Sequence, residues 1–151
     1  MLANSSAHNY EGIKGFTLKD HFPLWQSCWS FWVNDDTQIK HRHKGGYNAG
    51  RANVQASSVH TVTGHTHVLT VHPFTTLNPA FRMGTIYGVQ TGCLANPYGQ
   101  QFSYMEDSAR DHRSGFAMLT YDRGQLLPPE LVQVWDEENG EVTFRGKILG
   151  V

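Results

Sequence analysis

Two short apolar runs rich in β-branched residues, Val59 to Thr63 and Val68 to Val71, stand only four residues apart, joined by Gly64-His65-Thr66-His67. Runs of this length are too short for a helix but suit a pleated strand, where stiff Val and Thr side chains pack well. The chain is therefore committed to strands around residue 65. In extended backbone, alternation throws His65 and His67 onto one face, and Gly64 lets the chain turn sharply or approach a bound group. Two imidazoles offered from one turn form a lip for a metal ion, provided that other groups complete its shell.

The strand signal recurs on both sides. Trp29, Phe31 and Val33 alternate with Ser30, Trp32 and Asn34, as in a strand with one buried face, and the aromatics read as core. Asn34-Asp35-Asp36 marks a turn, and Thr37 to His41 is the return strand of a hairpin, with His41 at its end. Arg42 to Gly50 is a basic, glycine-rich loop suited to close approach, and Ala49 to Ser57 is a short helix. The run from Val68 is expected to stop at Pro73. Arg82 to Thr91 is a further strand with Met83, Thr85, Tyr87 and Val89 on one face. Residues 92–115 form a long irregular stretch, which in a compact domain is usually functional or mobile. Phe116 to Tyr121 is a strand, and Leu131 to Trp135 with Val142 to Ile148 makes a last hairpin around Asn139-Gly140.

The expected architecture is α+β and strand-rich, with few short helices, in one domain spanning 1–151 whose residues 1–20 are a loose lead-in. A net charge of −1 provides no general basic field for nucleic acid, so a phosphate-bearing substrate has to be held locally. Arg42, Lys44 and Arg51 are candidates for that contact, as point charges or forks. Cys28 and Cys93 are far apart and suggest neither a disulfide framework nor a cysteine zinc site. With no leader pattern and no apolar span of membrane length, the expected location is cytoplasmic, and no membrane partner is expected. Histidine is the outlier of the composition: there are nine, and six of them fall between positions 41 and 72.

His41, the short helix, a strand, Gly64-His65-Thr66-His67, and then Val89-Gln90-Thr91-Gly92-Cys93-Leu94-Ala95-Asn96-Pro97 form an ordered set. From about Trp25 onward this set resembles the C-terminal half of the calcineurin-like metallophosphoesterases. Lys40-His41-Arg42-His43-Lys44-Gly45-Gly46 and Arg113-Ser114-Gly115-Phe116 resemble the phage-encoded branch of that family. The resemblance implies half of a metallophosphoesterase-type β-sandwich, in the host cytoplasm if phage-encoded. It also implies a dinuclear centre of Mn, Zn, Fe or Ni, in which His41 and His65 ligate one ion and His67 the other. Its chemistry would be phosphoester hydrolysis of the nuclease or phosphodiesterase type, with a phosphodiester substrate that includes nucleic acid among its candidates.

The family's early blocks, Asp-x-His, Gly-Asp and Gly-Asn-His, do not occur in these 151 residues, and with them goes the histidine that protonates the leaving group. The resemblance therefore implies a partner: a complementary chain carrying those blocks, or a second copy of this one. Two further readings stand beside it. One is a non-catalytic binding or assembly module on the same scaffold. The other is a cupin-like metal barrel, which expects a glutamate soon after His-x-His that Val68 to Pro79 does not supply.

Overall fold

A computed structural model describes residues 22–26, 28–77, 83–95, 99–105 and 111–150. The expectations for residues 1–20 lie outside these. The chain resolves into two compact units, residues 1–31 and 32–151. In the first, Trp25 N–H donates to the Phe22 carbonyl at 2.9 Å and the two rings lie 4.7 Å apart.

The second unit is strand-rich, with few helices. Its main sheet has the order β1-β2-β3-β5-β4, formed by β1 (Phe31–Asn34), β2 (Thr37–Lys40), β3 (His60–Thr63), β4 (Leu69–Leu77) and β5 (Met83–Thr91). β2, β3 and β5 run parallel, and β4 returns antiparallel on β5. A parallel pair needs a crossover, and helix α1 (Ala49–Ser57) supplies it between β2 and β3. A second sheet takes the order β11-β10-β9-β6, from β6 (Gly115–Met118), β9 (Glu130–Asp136), β10 (Glu141–Phe144) and β11 (Lys147–Gly150). The short β7 (Tyr121–Asp122) and β8 (Gln125–Leu126) pair with each other. Among the described residues no helix is long and apolar enough to cross a membrane.

Four expectations need correction, the first being a single strand from Phe116 to Tyr121: β6 ends at Met118 and pairs with β9, while Tyr121 opens β7, which pairs with β8. Pro73 does not end its strand: β4 continues to Leu77, with Pro73 opposite Tyr87. As an edge strand, β4 has N–H groups that face no neighbour, so a proline is tolerated there. The last predicted strand is two, because Arg145 (φ 49°) and Gly146 (φ 71°) turn the chain between β10 and β11. Two successive positive φ values match the twist that a tight hairpin needs. Among the described residues the aromatic alternation of β1 buries no face: Phe31, Trp32 and Val33 are all exposed on an edge strand.

Helix α1 settles on the sheet through a backbone contact. Its buried face is Ala49, Gly50, Asn53 and Val54, and a Cβ added to Gly88 of β5 would lie 1.9 Å from the Gly50 carbonyl oxygen. Only a residue without a side chain fits there. The core beneath is unusually polar. Thr37, Gln38, Asn53, Thr61, Thr63 and Gln90 are buried beside Val54, Val62 and Val89, and their side chains bond one another, as in Asn53 Nδ2 to Thr63 Oγ1 at 3.3 Å and Gln38 Nε2 to Thr61 Oγ1 at 3.2 Å.

At the N-terminal end of β3, His60 is buried and stacked on Tyr87, and its Nδ1 accepts the Tyr87 N–H at 3.0 Å. That bond requires a neutral ring, and burial holds the His60 pKa below its usual 6.5, with Asp36 opposing in part.

Two outcomes are expected. Gly88→Ala destabilises the chain by about 3 kcal/mol or more, since backbone cannot yield as a side chain does, whereas Gly84→Ala, with open space around it, changes stability by under about 1 kcal/mol. Urea denaturation of both variants checks the contrast. For His60 the unfolded state takes up a proton as pH falls below 6.5 while the folded state resists it, so its contribution to stability is full above 6.5 and declines below it. Denaturation midpoints measured from pH 7.5 to 5.5 should fall, and should fall less in His60→Leu.

Candidate metal and phosphate centre

Ligands of sheets with parallel strands gather beyond the carboxyl ends of those strands. Here β2 and β3 are paired with Lys40 opposite Thr63, so the residues that follow, His41 and the Gly64-His65-Thr66-His67 loop, emerge side by side. The register of Thr63 with Gln90 brings the end of β5 and Gly92-Cys93 to the same rim. The rings of His41 and His65 lie 5.3 Å apart, edge to face. A Cβ added to Gly64 would meet the His41 carbonyl oxygen at 3.8 Å and His41 Nδ1 at 3.9 Å, so the loop passes close above His41.

The expectation that strand alternation aligns the two loop histidines does not hold. β3 ends at Thr63, and both His65 (φ 70°) and His67 (φ 60°) take left-handed backbone, with Thr66 between them. Non-glycine residues reach that region at a cost, and such strain persists only where the surroundings impose it. Gln90 imposes it from below: its Nε2 donates to Thr66 Oγ1 at 2.6 Å, while Thr66 N–H donates to the Gly64 carbonyl at 2.9 Å.

A second loop clamps the other side. Arg113 N–H donates to the His67 carbonyl at 2.9 Å, Cys93 N–H donates to the Arg113 carbonyl at 3.1 Å, and Gly115 N–H donates to the Cys93 carbonyl at 2.9 Å. Gly92 (φ 68°) makes this possible, since a Cβ there would lie 2.7 Å from the Arg113 carbonyl oxygen. The clamp delivers His112, whose ring centre is 4.7 Å from that of His67. Phe102, buried in a 3₁₀ helix (Gln100–Met105), packs edge-on against both rings at 5.1 and 4.9 Å. His112 was not legible as a site residue, although the Arg113-Ser114-Gly115-Phe116 motif begins at the next position.

Burial and neighbouring charge favour the neutral form of two of these imidazoles, His65 and His67. Partial burial, then Arg42, His41 and His67, hold the His65 pKa below its usual value; for His67 the causes are burial, then His112 and His41. A neutral imidazole offers a lone pair for a metal or an N–H for an anion. Beside the cluster opens a cleft of about 320 Å³, whose lining includes Arg42, Gly45, Gly46, His65, Asp111 and His112. A larger cleft of about 590 Å³ lies elsewhere, but its one imidazole, His60, already accepts the Tyr87 N–H.

The sequence candidates thus separate. His41 and His65 lie ring to ring, His67 packs against His112, and of the candidates only His65 and Arg42 line the cleft. Lys44 and Arg51 are exposed and line no part of that cleft; the Lys44 backbone N–H is held by Asn53 Oδ1 at 2.7 Å. His43 is exposed, with Lys40 and Lys44 close enough to lower its pKa after burial has done so. Cys93 is a free thiol whose Sγ faces the carbonyls of Ala95 and Arg113 at 3.8 Å, as a small packing residue would.

Imidazole suits zinc, manganese, iron and nickel, and His67 Nδ1 is a buried nitrogen with no hydrogen-bond partner, so the donor chemistry fits such an ion. The number of donors is short. Among the described residues no group of three His, Cys, Asp or Glu side chains is placed to hold a metal. Comparison of the chain with family models, with curated proteins and with solved structures gave no match.

The left-handed backbone at His65 has a measurable consequence. In chelator-treated protein, His65→Gly should be more stable than His65→Ala by about 1 kcal/mol, because only alanine bears the left-handed cost. Equal stabilities in urea denaturation would show that the loop relaxes freely.

Proposed function

We propose that this chain contributes the late histidine ligands, His41, His65 and His67, to a dinuclear metal-dependent phosphoesterase of the nuclease or phosphodiesterase type. The observation that carries the reading is the placement of His41 against His65 beyond adjacent parallel strands, with His65 and Arg42 lining one cleft. When bound, two divalent ions such as Mn, Zn, Fe or Ni would polarise the phosphoryl oxygens. His41, His65 and His67 offer them nitrogen ligands, the Gln90 and Arg113 contacts fix the loop from which two of these come, and Arg42 orients the substrate phosphate.

The remaining ligands and the leaving-group acid would come from a complementary chain with the Asp-x-His, Gly-Asp and Gly-Asn-His blocks, so that each chain is half of a β-sandwich. The exposed edge strand β1, with Phe31, Trp32 and Val33 in the open, supports such a partner, since uncovered apolar edges associate. The second reading is a binding or assembly module without turnover, which the exposed apolar residues of β1 would serve equally.

Alone, the chain should show no metal-dependent hydrolysis of a model phosphodiester above background. With the complementary chain, bound metal measured by mass spectrometry and activity should appear together, and His65→Ala should abolish activity while light scattering still shows the complex. Manganese-stimulated turnover by the pure chain would contradict the half-site, and a stable monomer that ignores the complementary chain would leave the non-catalytic module.

A further inference from the structure

We propose that His112 is a phosphate-contacting residue of this centre, lining with Arg42 and His65 a cleft that receives the phosphoryl group of a phosphate ester. The proposal rests on reading the centre as a phosphoester site and adds a residue that the resemblance does not supply.

Three observations converge on it. The cleft, at about 320 Å³, has the size of a small-molecule site, and its lining carries one guanidinium, two imidazoles and the hydroxyls of Tyr47 and Thr66. The one carboxylate in the lining, Asp111, is partly offset by the Arg113 guanidinium at 3.6 Å, so with Arg42 two guanidiniums stand against one carboxylate around the cleft. Finally, His112 is placed before any ligand arrives. Its neighbour Arg113 is tied at both N–H and carbonyl to His67 and Cys93, and its ring is packed against Phe102 and His67. A donor already ordered loses little entropy on binding, so its hydrogen bond counts nearly in full. The position also explains the Arg113-Ser114-Gly115-Phe116 motif. Gly115 (φ 151°) lies where a Cβ would be 2.3 Å from the Val132 carbonyl oxygen, and Val134 N–H donates to the Ser114 carbonyl at 2.9 Å, so β9 of the second sheet anchors the loop that carries His112.

A packing role alone would also place His112 against Phe102, and His112→Phe separates the two, since it keeps an aromatic ring and removes the N–H. The test uses the full 151-residue chain with nitrogen-labelled histidine, at one fixed pH, titrated in separate samples with inorganic phosphate and with zinc. Phosphate should move the His112 and His65 imidazole signals. Its affinity should fall about tenfold in His112→Phe, as loss of one hydrogen bond predicts, and stay unchanged in His43→Phe, whose position is outside the cleft. A His112 signal unmoved at saturating phosphate, no binding of phosphate, or wild-type affinity in His112→Phe would each overturn the proposal. Should His112→Phe fail to fold, the response of the wild-type His112 signal decides. The zinc arm separates the two roles: a His112 signal that moves with zinc and not with phosphate overturns the proposal, whereas silence of His41, His65 and His67 toward zinc, which a half-site lacking its complementary chain is expected to show, leaves the phosphate contact standing and the metal reading to the two-chain experiment.

Discussion

The arrangement depends on one buried amide. Gln90, fully enclosed on β5, accepts the Gly50 N–H at 2.9 Å and the Thr70 hydroxyl at 3.2 Å through Oε1, and donates to Thr66 at 2.6 Å through Nε2. A buried amide is costly unless its bonding capacity is used, and here it is used on three different elements: the start of α1, the return strand β4 and the histidine loop. Because Thr66 lies between His65 and His67, the amide that holds the helix on the sheet also sets the height and angle of both imidazoles.

Strain and close packing follow from that anchor. Left-handed backbone at His65 and His67 costs on the order of 1–3 kcal/mol each, which an unrestrained loop would shed. Thr66 is held from the sheet side and His67 from the 111–113 loop, so relaxation would break buried hydrogen bonds on both flanks. The contact of Gly50 on Gly88 lets α1 lie deep enough for the Gln90 amide to reach the Gly50 N–H. Polar core residues such as Asn53 and Thr63 extend the same logic, trading apolar burial for hydrogen bonds that accept only one registration of helix on strand.

Local chemistry was readable in the residues themselves. The Val and Thr runs, the Asn-Gly and Asp-Asp turns and the alanine-rich segment after Gly46 located most strands and α1 within a residue or two, because propensity and turn geometry act over a few neighbours. His41 directly follows a strand end and His65 and His67 lie in the loop after Thr63, but their grouping as ligands came from the resemblance in motif order. Pro73 misled because a proline reports a missing N–H without reporting whether any strand lies on that side.

What tertiary structure decided is everything that joins distant residues. The parallel order of β2, β3 and β5 places His41 beside His65, the Gln90 bond turns a strand-like His-x-His into a left-handed loop, and the Arg113 to His67 bond brings His112 to the rim across more than forty positions. Whether the aromatics of β1 are core or surface was settled in the same way, by the absence of a strand beyond it among the described residues. A sequence fixes the conformations its neighbouring residues prefer; which surfaces meet depends on the balance of burial and hydrogen bonding over the whole chain, and no window of it contains that sum.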